Sequence, residues 1–322
     1  MLQMRIIRMT QAKGALMPWM LIWVLVAPLV GVVLAVAWWL IRRRSLQPLS
    51  GAIAVFTVIA GTVGVLVEVS VHVLMAGPVL VPFTPSAGFA VWYFDYRFTI
   101  PVAVGIVGVA LLAFPLRSRQ GAGVAELAPR GPLRFTRPRW FLLPAIVLAV
   151  VLLITILSGV ASQPNPDTGR YDMYLVELGT GTTMATYIYG WYYSLPALIA
   201  ILVLVAAAAG SLALIARPPL AADREQDARI RSIRSRNVIV VVTAALVLHL
   251  GLIVESLART ASLAATVSSD LGRVTLATPI VVMIPVFIVV SYIAVVAGAA
   301  LFASVALTGV GARRNAPLMV DA

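Results

Sequence analysis

An all-α, polytopic bundle of about seven membrane-spanning helices is the fold this sequence predicts, and three observations predict it. The chain is 61% hydrophobic and only 11% charged, with a mean hydropathy of +1.01, whereas a soluble chain carries about 25% charged residues. Seven apolar segments each supply the roughly 20 residues needed to cross about 30 Å of hydrocarbon. The arginines fall in alternate connections between those segments. The longest connections run to about 20–30 residues, too short for an independent soluble core.

The spans, in order, are 19–41, 50–77, 93–116, 140–160, 187–216, 237–258 and 274–308, together a transmembrane domain over 19–308. Residues 1–18 carry Arg5, Arg8 and Lys13 and read as a short interfacial segment. The first apolar run, from Pro18 to Ile41, is too long for a signal peptide, and Arg42, Arg43 and Arg44 follow it as a stop-transfer flank. The last span exceeds one crossing, so Pro279 and Pro285 are expected to kink it. Residues 309–322 form a tail.

Charge sets the expected topology. Seventeen arginines lie on one side: Arg42 to Arg44, six between 117 and 139, six between 217 and 236, and Arg313 and Arg314. The opposite loops hold only Arg97, Arg170, Arg259 and Arg273. The positive-inside rule puts the C-terminus in the cytoplasm and, with seven spans, the N-terminus outside. The net charge of +12 is thus a topology signal rather than a nucleic-acid footprint. Arginine outnumbers lysine 23 to one, which with the Ala/Val/Gly richness suggests a high-GC bacterial genome and a bacterial cytoplasmic membrane.

After the first span the chain reads as three related helical hairpins. The returning helices begin around Pro101, Pro196 and Pro279, and a proline in the first helical turn costs no hydrogen bond. The phrase Gly64-Val65-Leu66-Val67-Glu68 recurs as Gly251-Leu252-Ile253-Val254-Glu255. An intramembrane carboxylate costs roughly 2.5–3.5 kcal/mol on insertion scales, so two in matching surroundings point to a polar site between the copies. Glu68 and His72 are four apart and share a helix face, as are Glu255 and Arg259, while His249 lies about two turns deeper than Glu255. These five residues are the candidate intramembrane polar site. It would serve as a structural clasp, a proton or ion site, or a metal site from Glu68, His72 and Glu255; no motif spacing favours a metal.

A second candidate surface is aromatic: Trp92, Tyr93, Asp95 and Tyr96 before Pro101, and Tyr189, Trp191 and Tyr192 before Pro196. Such rings anchor a helix at the membrane interface or stack on a ligand. The polar segment 161–186 is the expected flexible lid or ligand contact outside the membrane. The 217–236 loop, with Asp223, Glu225 and Asp227 ahead of four arginines, is the expected cytoplasmic partner site. Small-residue patches at Gly105 to Gly108 and Ala206 to Gly210 permit close helix packing.

Much chemistry is excluded. Cysteine is absent, so disulfides, zinc-thiolate sites and thiol nucleophiles cannot form. No phosphate-binding glycine loop and no nucleophile elbow occurs. The only lysine, Lys13, lies outside the spans, so no retinal Schiff base is possible there. No cofactor and no catalytic constellation are expected. The functional expectation is a transport-related membrane subunit, either a small permease or the membrane component of a multi-subunit transporter. The alternative is a seven-span sensor or envelope scaffold.

Overall fold

The computed structural model describes residues 25–42, 49, 51–75, 86–114, 135–177, 183–216, 224–269 and 272–310. The 1–18 segment, most of the loop arginines between 43 and 134, and the tail beyond 310 lie outside these residues. The elements run α1 (Leu25–Arg42), α2 (Gly51–Met75), α3 (Ala87–Tyr96), α4 (Ile100–Ala113) and α5 (Leu142–Ala161). There follow β1 (Gln163–Pro164), β2 (Tyr171–Glu177), β3 (Thr183–Tyr187), α6 (Trp191–Ile215), α7 (Arg224–Ala261), β4 (Ala264–Ser269), β5 (Gly272–Ala277) and α8 (Ile284–Gly309). Among the described residues six helices are long and apolar enough to cross a membrane, and the bent pair α3–α4 makes a seventh crossing if counted as one. The protein is therefore an α-helical multi-pass membrane bundle.

The helices alternate in direction. Both short sheets lie at one end of the bundle, the hairpin end, where Thr260 Oγ1 of α7 donates to the Tyr187 carbonyl and Thr278 Oγ1 to the Ala261 carbonyl. Arg231 and Arg234 lie at the opposite, arginine-rich end. The core is built on α7. Within its apolar window 78% of the residues are buried, against 11–28% in the other crossing helices, so α7 is the axis and the rest surround it. Val238, Val241, Ala244, Ala245 and Leu246 form its fully covered face.

Glycines set how closely the surrounding helices approach. A methyl group at Gly64 would run into the Phe302 ring of α8, and one at Gly251 would stand 3.0 Å from Ala294 Cβ, also on α8. Gly31 of α1 packs against the Val296 carbonyl in the same way. Small residues allow backbones to meet where lipid offers no hydrophobic drive. The repeated glycine thus does the same task twice: it seats α2 and α7 against α8. Gly105 and Gly108 seat α4 against Ala245 and Val241, whereas Gly210 faces open space.

Several boundaries differ from the sequence reading, each for a local reason. The 93–116 span is two helices bent by 76° between Tyr96 and Ile100. Ser86 caps α3 by accepting from the Phe89 N–H at 3.3 Å, and Pro101 sits in the first turn of α4. Pro196 lies inside α6 instead of in its first turn. Pro279 falls in a turn before α8 and Pro285 in its first turn, so neither kinks the last helix. The 237–258 span begins at Arg224 as a continuous 38-residue helix rather than a separate surface helix.

The bundle also carries strands. Residues expected as a flexible lid form the antiparallel sheet β1-β2-β3, with Met173 opposite Tyr187 and Glu177 opposite Thr183. Asn165 shapes the entry: its side chain accepts from the Asp167 N–H at 2.9 Å, and Gly169, at φ 69°, takes the left-handed turn that favours glycine. Residues 274–277, expected to open the last span, instead pair in the hairpin β4–β5 with residues of the preceding connection, Ala277 opposite Ala264. Thr278 Oγ1 donates to the Ala261 carbonyl at 2.8 Å and pins that hairpin to the end of α7.

At the other end, arginines act as helix caps. Arg231 bonds Asp227 at 2.7 Å and donates to the Ile215 carbonyl of α6 at 2.6 Å. Arg234 donates to the Leu112 and Ala113 carbonyls of α4 at 3.0 and 3.1 Å. The final carbonyls of a helix lack intrahelical partners, and a cation there also complements the helix dipole.

Candidate functional site

A cavity of about 680 Å³ lies at the hairpin end of the bundle, within the usual range for ligand sites. It is bounded by α1, α2, the α3–α4 turn, α7 and α8. Its position follows from the glycine contacts. Gly31, Gly64 and Gly251 seat α1, α2 and α7 on α8, and the cavity begins about one helical turn further toward the hairpin end. Glu68 and Glu255 stand four residues beyond Gly64 and Gly251. Glu255 lines the cavity, whereas Glu68 lines only the smaller void beside it.

The polar lining consists of His72, Arg97, Glu255, Arg259, Ser291 and Tyr292, with Tyr93, Ser256 and Ser262 between them. Phe94, Phe98, Leu252, Ile284, Ile288 and Val295 supply most of the apolar wall. Glu68 sits just behind, 9% exposed, against a second void of about 10 Å³ that it shares with Arg97.

Two carboxylates in this region already have cationic or polar neighbours. His72 Nδ1 lies 2.9 Å from the Glu68 carbonyl oxygen and 3.4 Å from its Oε1. A carbonyl can only accept, so His72 Nδ1 carries a proton and donates to it. Arg259 donates to Glu255 Oε1 at 2.6 Å, one turn apart on α7. Glu255 is also close enough to act electrostatically on Glu68. His72, Glu255 and Arg259, from α2 and α7, therefore line one space, with Glu68 behind it against the smaller void. Among the described residues no three histidine, aspartate or glutamate side chains come close enough to hold a metal ion.

His249 stands apart from this set. It is fully buried, its Nδ1 lies 2.7 Å from the Phe98 carbonyl oxygen, and its Nε2 lies 3.5 Å from the Tyr189 hydroxyl. Nδ1 donates to Phe98 and Nε2 faces the tyrosine, so both ring nitrogens are occupied. His249 bolts α7 to the α3–α4 turn and to the residues leading into α6.

The aromatic residues likewise divide instead of forming one surface. Trp92 and Tyr96 stand exposed on α3, their ring centroids 5.9 Å apart. Tyr93 and Tyr189 are core residues. Trp191 packs over Gly159. Asp95 accepts from Arg170 at 3.2 Å, and the same guanidinium lies 4.3 Å from the Tyr192 ring, tying the β1-β2-β3 sheet to α3 and α6.

Arg97, Ser291 and Tyr292 were not singled out by the sequence reading. Arg97 counted only as a loop charge, although it is the one charged residue between the aromatic run of α3 and Pro101. Ser291-Tyr292 is the polar pair in the otherwise apolar first half of α8. Those two signals are present in the sequence, but not the fold that brings them onto one cavity with Glu255. Set beside family models, curated proteins and solved structures, the chain matches none of them.

Proposed function

We propose that this multi-pass protein is a transport-related membrane subunit, a small permease or the membrane component of a larger transporter, in the cytoplasmic membrane of a bacterium. The carrying observation is the 680 Å³ cavity of the helical bundle, walled by Glu255 of the second Gly-x-x-x-Glu phrase and by His72, one turn beyond the first. Ionisable residues are expensive within spans and mark solute or proton paths. Related helical repeats that frame such a site are a recurrent feature of transporters. The positive-inside rule turns the arginine-rich end to the cytoplasm and opens the cavity toward the outer leaflet. In this reading a cytoplasmic partner docks at the 217–236 segment, where α7 extends beyond the about 20 residues one crossing needs.

A second reading, a seven-span sensor, is supported by one contact. Arg170 links the sheet at the hairpin end to Asp95 of α3, and the next turn of chain carries Arg97 into the cavity. A ligand on the sheet would be coupled mechanically to that arginine.

Reconstitution into liposomes holding a pH-sensitive dye separates the two. Glu68→Gln and Glu255→Gln are each expected to lower proton-coupled flux by about 10- to 100-fold while the protein stays in the membrane. Full flux in both variants would remove the carboxylates from the mechanism. A wild-type protein that carries no flux and is extracted in mild detergent without partners would sink the transport reading and leave the sensor.

A further inference from the structure

We propose that the cavity binds an anionic amphiphile, an acyl chain bearing a carboxylate or phosphate head, with the head held by Arg97 and Tyr292. The inference deepens the reading of this cavity as the working site, but it needs no transport to be true.

The argument begins with charge. Glu255 and Arg259 form an ion pair and so cancel within the cavity wall. Glu68 and His72 are engaged with each other on α2. Arg97 is left: among the described residues no carboxylate lies within ion-pair distance of it, and its buried Nε has no hydrogen-bond partner. Its guanidinium is surrounded by rings, 4.7 Å from the centroid of Phe98, 5.4 Å from Phe94 and 5.6 Å from Tyr193. Aromatic faces soften the burial of a cation, but they accept no in-plane hydrogen bond. A guanidinium inside a membrane bundle calls for an oxyanion, which it binds with two parallel N–H donors.

The second unsatisfied group is on the same cavity. The Tyr292 hydroxyl is buried and has no hydrogen-bond partner, and its neighbour Ser291 also lines the space. Of the eight buried polar side-chain atoms without a partner among the described residues, these two alone belong to residues that line this cavity, where a polar ligand would offer them one. Arg97 comes from the α3–α4 turn and Tyr292 from α8, so the oxyanion site exists only in the assembled fold.

The remaining wall fits a hydrocarbon. Val71, Ile284, Ile288 and Val295 line the cavity with Ala27 of α1. A small hydrophilic anion would leave this apolar surface uncovered. A neutral hydrocarbon would leave Arg97 unpaired. A head-and-chain molecule satisfies both. A bilayer phospholipid and a free acyl acid share that chemistry.

The test uses full-length protein in phosphatidylcholine nanodiscs, titrated with palmitate, phosphatidylglycerol, hexadecanol and acetate, with binding read by native mass spectrometry. Palmitate or phosphatidylglycerol is expected to bind about stoichiometrically, and hexadecanol and acetate at least about 10-fold more weakly. Saturation by phosphatidylglycerol alone assigns the ligand to the bilayer; saturation by palmitate assigns it to a free acyl acid. Arg97→Gln should weaken the anion by about 10-fold or more and leave hexadecanol unchanged. Tyr292→Phe removes one oxygen from the fold and should cost a smaller part of the same affinity, which keeps the test valid if Arg97→Gln fails to fold. Equal binding of hexadecanol and palmitate, or full palmitate affinity in folded Arg97→Gln, would overturn the proposal. Anion binding without flux, in a protein that is also extracted without partners, would instead sink the transport reading and leave this site standing. Flux without anion binding would do the reverse.

Discussion

His72 and His249 lie on the two helices that share the Gly-x-x-x-Glu phrase, yet they live in opposite circumstances. His249 has no exposure and both ring nitrogens face a partner, the Phe98 carbonyl at 2.7 Å and the Tyr189 hydroxyl at 3.5 Å. His72 donates one nitrogen to the Glu68 carbonyl and turns toward a 680 Å³ space. A buried polar group whose valences are all filled by the protein holds the fold together. One with a valence left over beside a cavity is available to something else. The same distinction separates Tyr189, wedged between Phe98 and His249, from Tyr292, whose hydroxyl is buried without a partner.

The largest effect that sharpens this contrast is on stability. His249→Ala opens a void in the packed core and strands the Phe98 carbonyl, costing about 2–4 kcal/mol. His72→Ala removes one local bond beside open space and should cost less than about 1 kcal/mol. Thermal unfolding in detergent, followed by loss of the monodisperse species, reads both. Equal losses would dissolve the distinction and make the Glu68–His72 pair a structural clasp.

The second comparison concerns the floor under the cavity. Gly64→Val pushes a branched side chain into the Phe302 ring and should destabilise the bundle by about 1–3 kcal/mol. Gly210→Val meets nothing within 4 Å and should be close to neutral. The same detergent melts measure both variants. A neutral Gly64→Val would mean that α8 slides away freely, and the cavity would then owe its place to some other contact.

These glycines show where the sequence was readable. The G-x-x-x-E phrase stands out because a costly residue recurs in a fixed setting; in the fold Gly64 meets Phe302 and Gly251 meets Ala294, both on α8. The crossing helices were legible for the same reason: each needs a long apolar run. What escaped the reading was set by tertiary context. Residues 264–277 mix Ala, Thr, Val and Ser, which suit a strand as readily as the approach to a helix, and only pairing decides. The bend after Tyr96 is hidden because aromatic residues and Pro101 also suit an ordinary helix start. Arg97 resembled the loop arginines until that bend turned it into the cavity, and His249 resembled His72 until Phe98 arrived from a distant part of the chain.

The smallest expected effect lies in the sheet, where a third kind of buried polar residue mixes both cases. Asp172 on β2 is buried, with one carboxylate oxygen lacking a partner. Burial holds its carboxyl above the ordinary value of 3.8, and Asn165 and Arg170 only partly offset this. A carboxyl raised in the folded state favours the protonated form. Its contribution is complete below about pH 4 and is lost as pH rises through the raised value. Asp172→Asn keeps the shape without the charge. At pH 4 the variant and the wild type should therefore protect their sheet amides alike. At pH 8 the variant should be better protected, most clearly at Ile188, whose N–H donates to the Asp172 carbonyl at 2.8 Å. Hydrogen exchange, corrected for its intrinsic pH dependence, measures the difference. Poorer protection in Asp172→Asn at pH 8 would show that the carboxylate is bonded like His249, with every valence in use, and would move Asp172 from this mixed case to the first class of buried polar group.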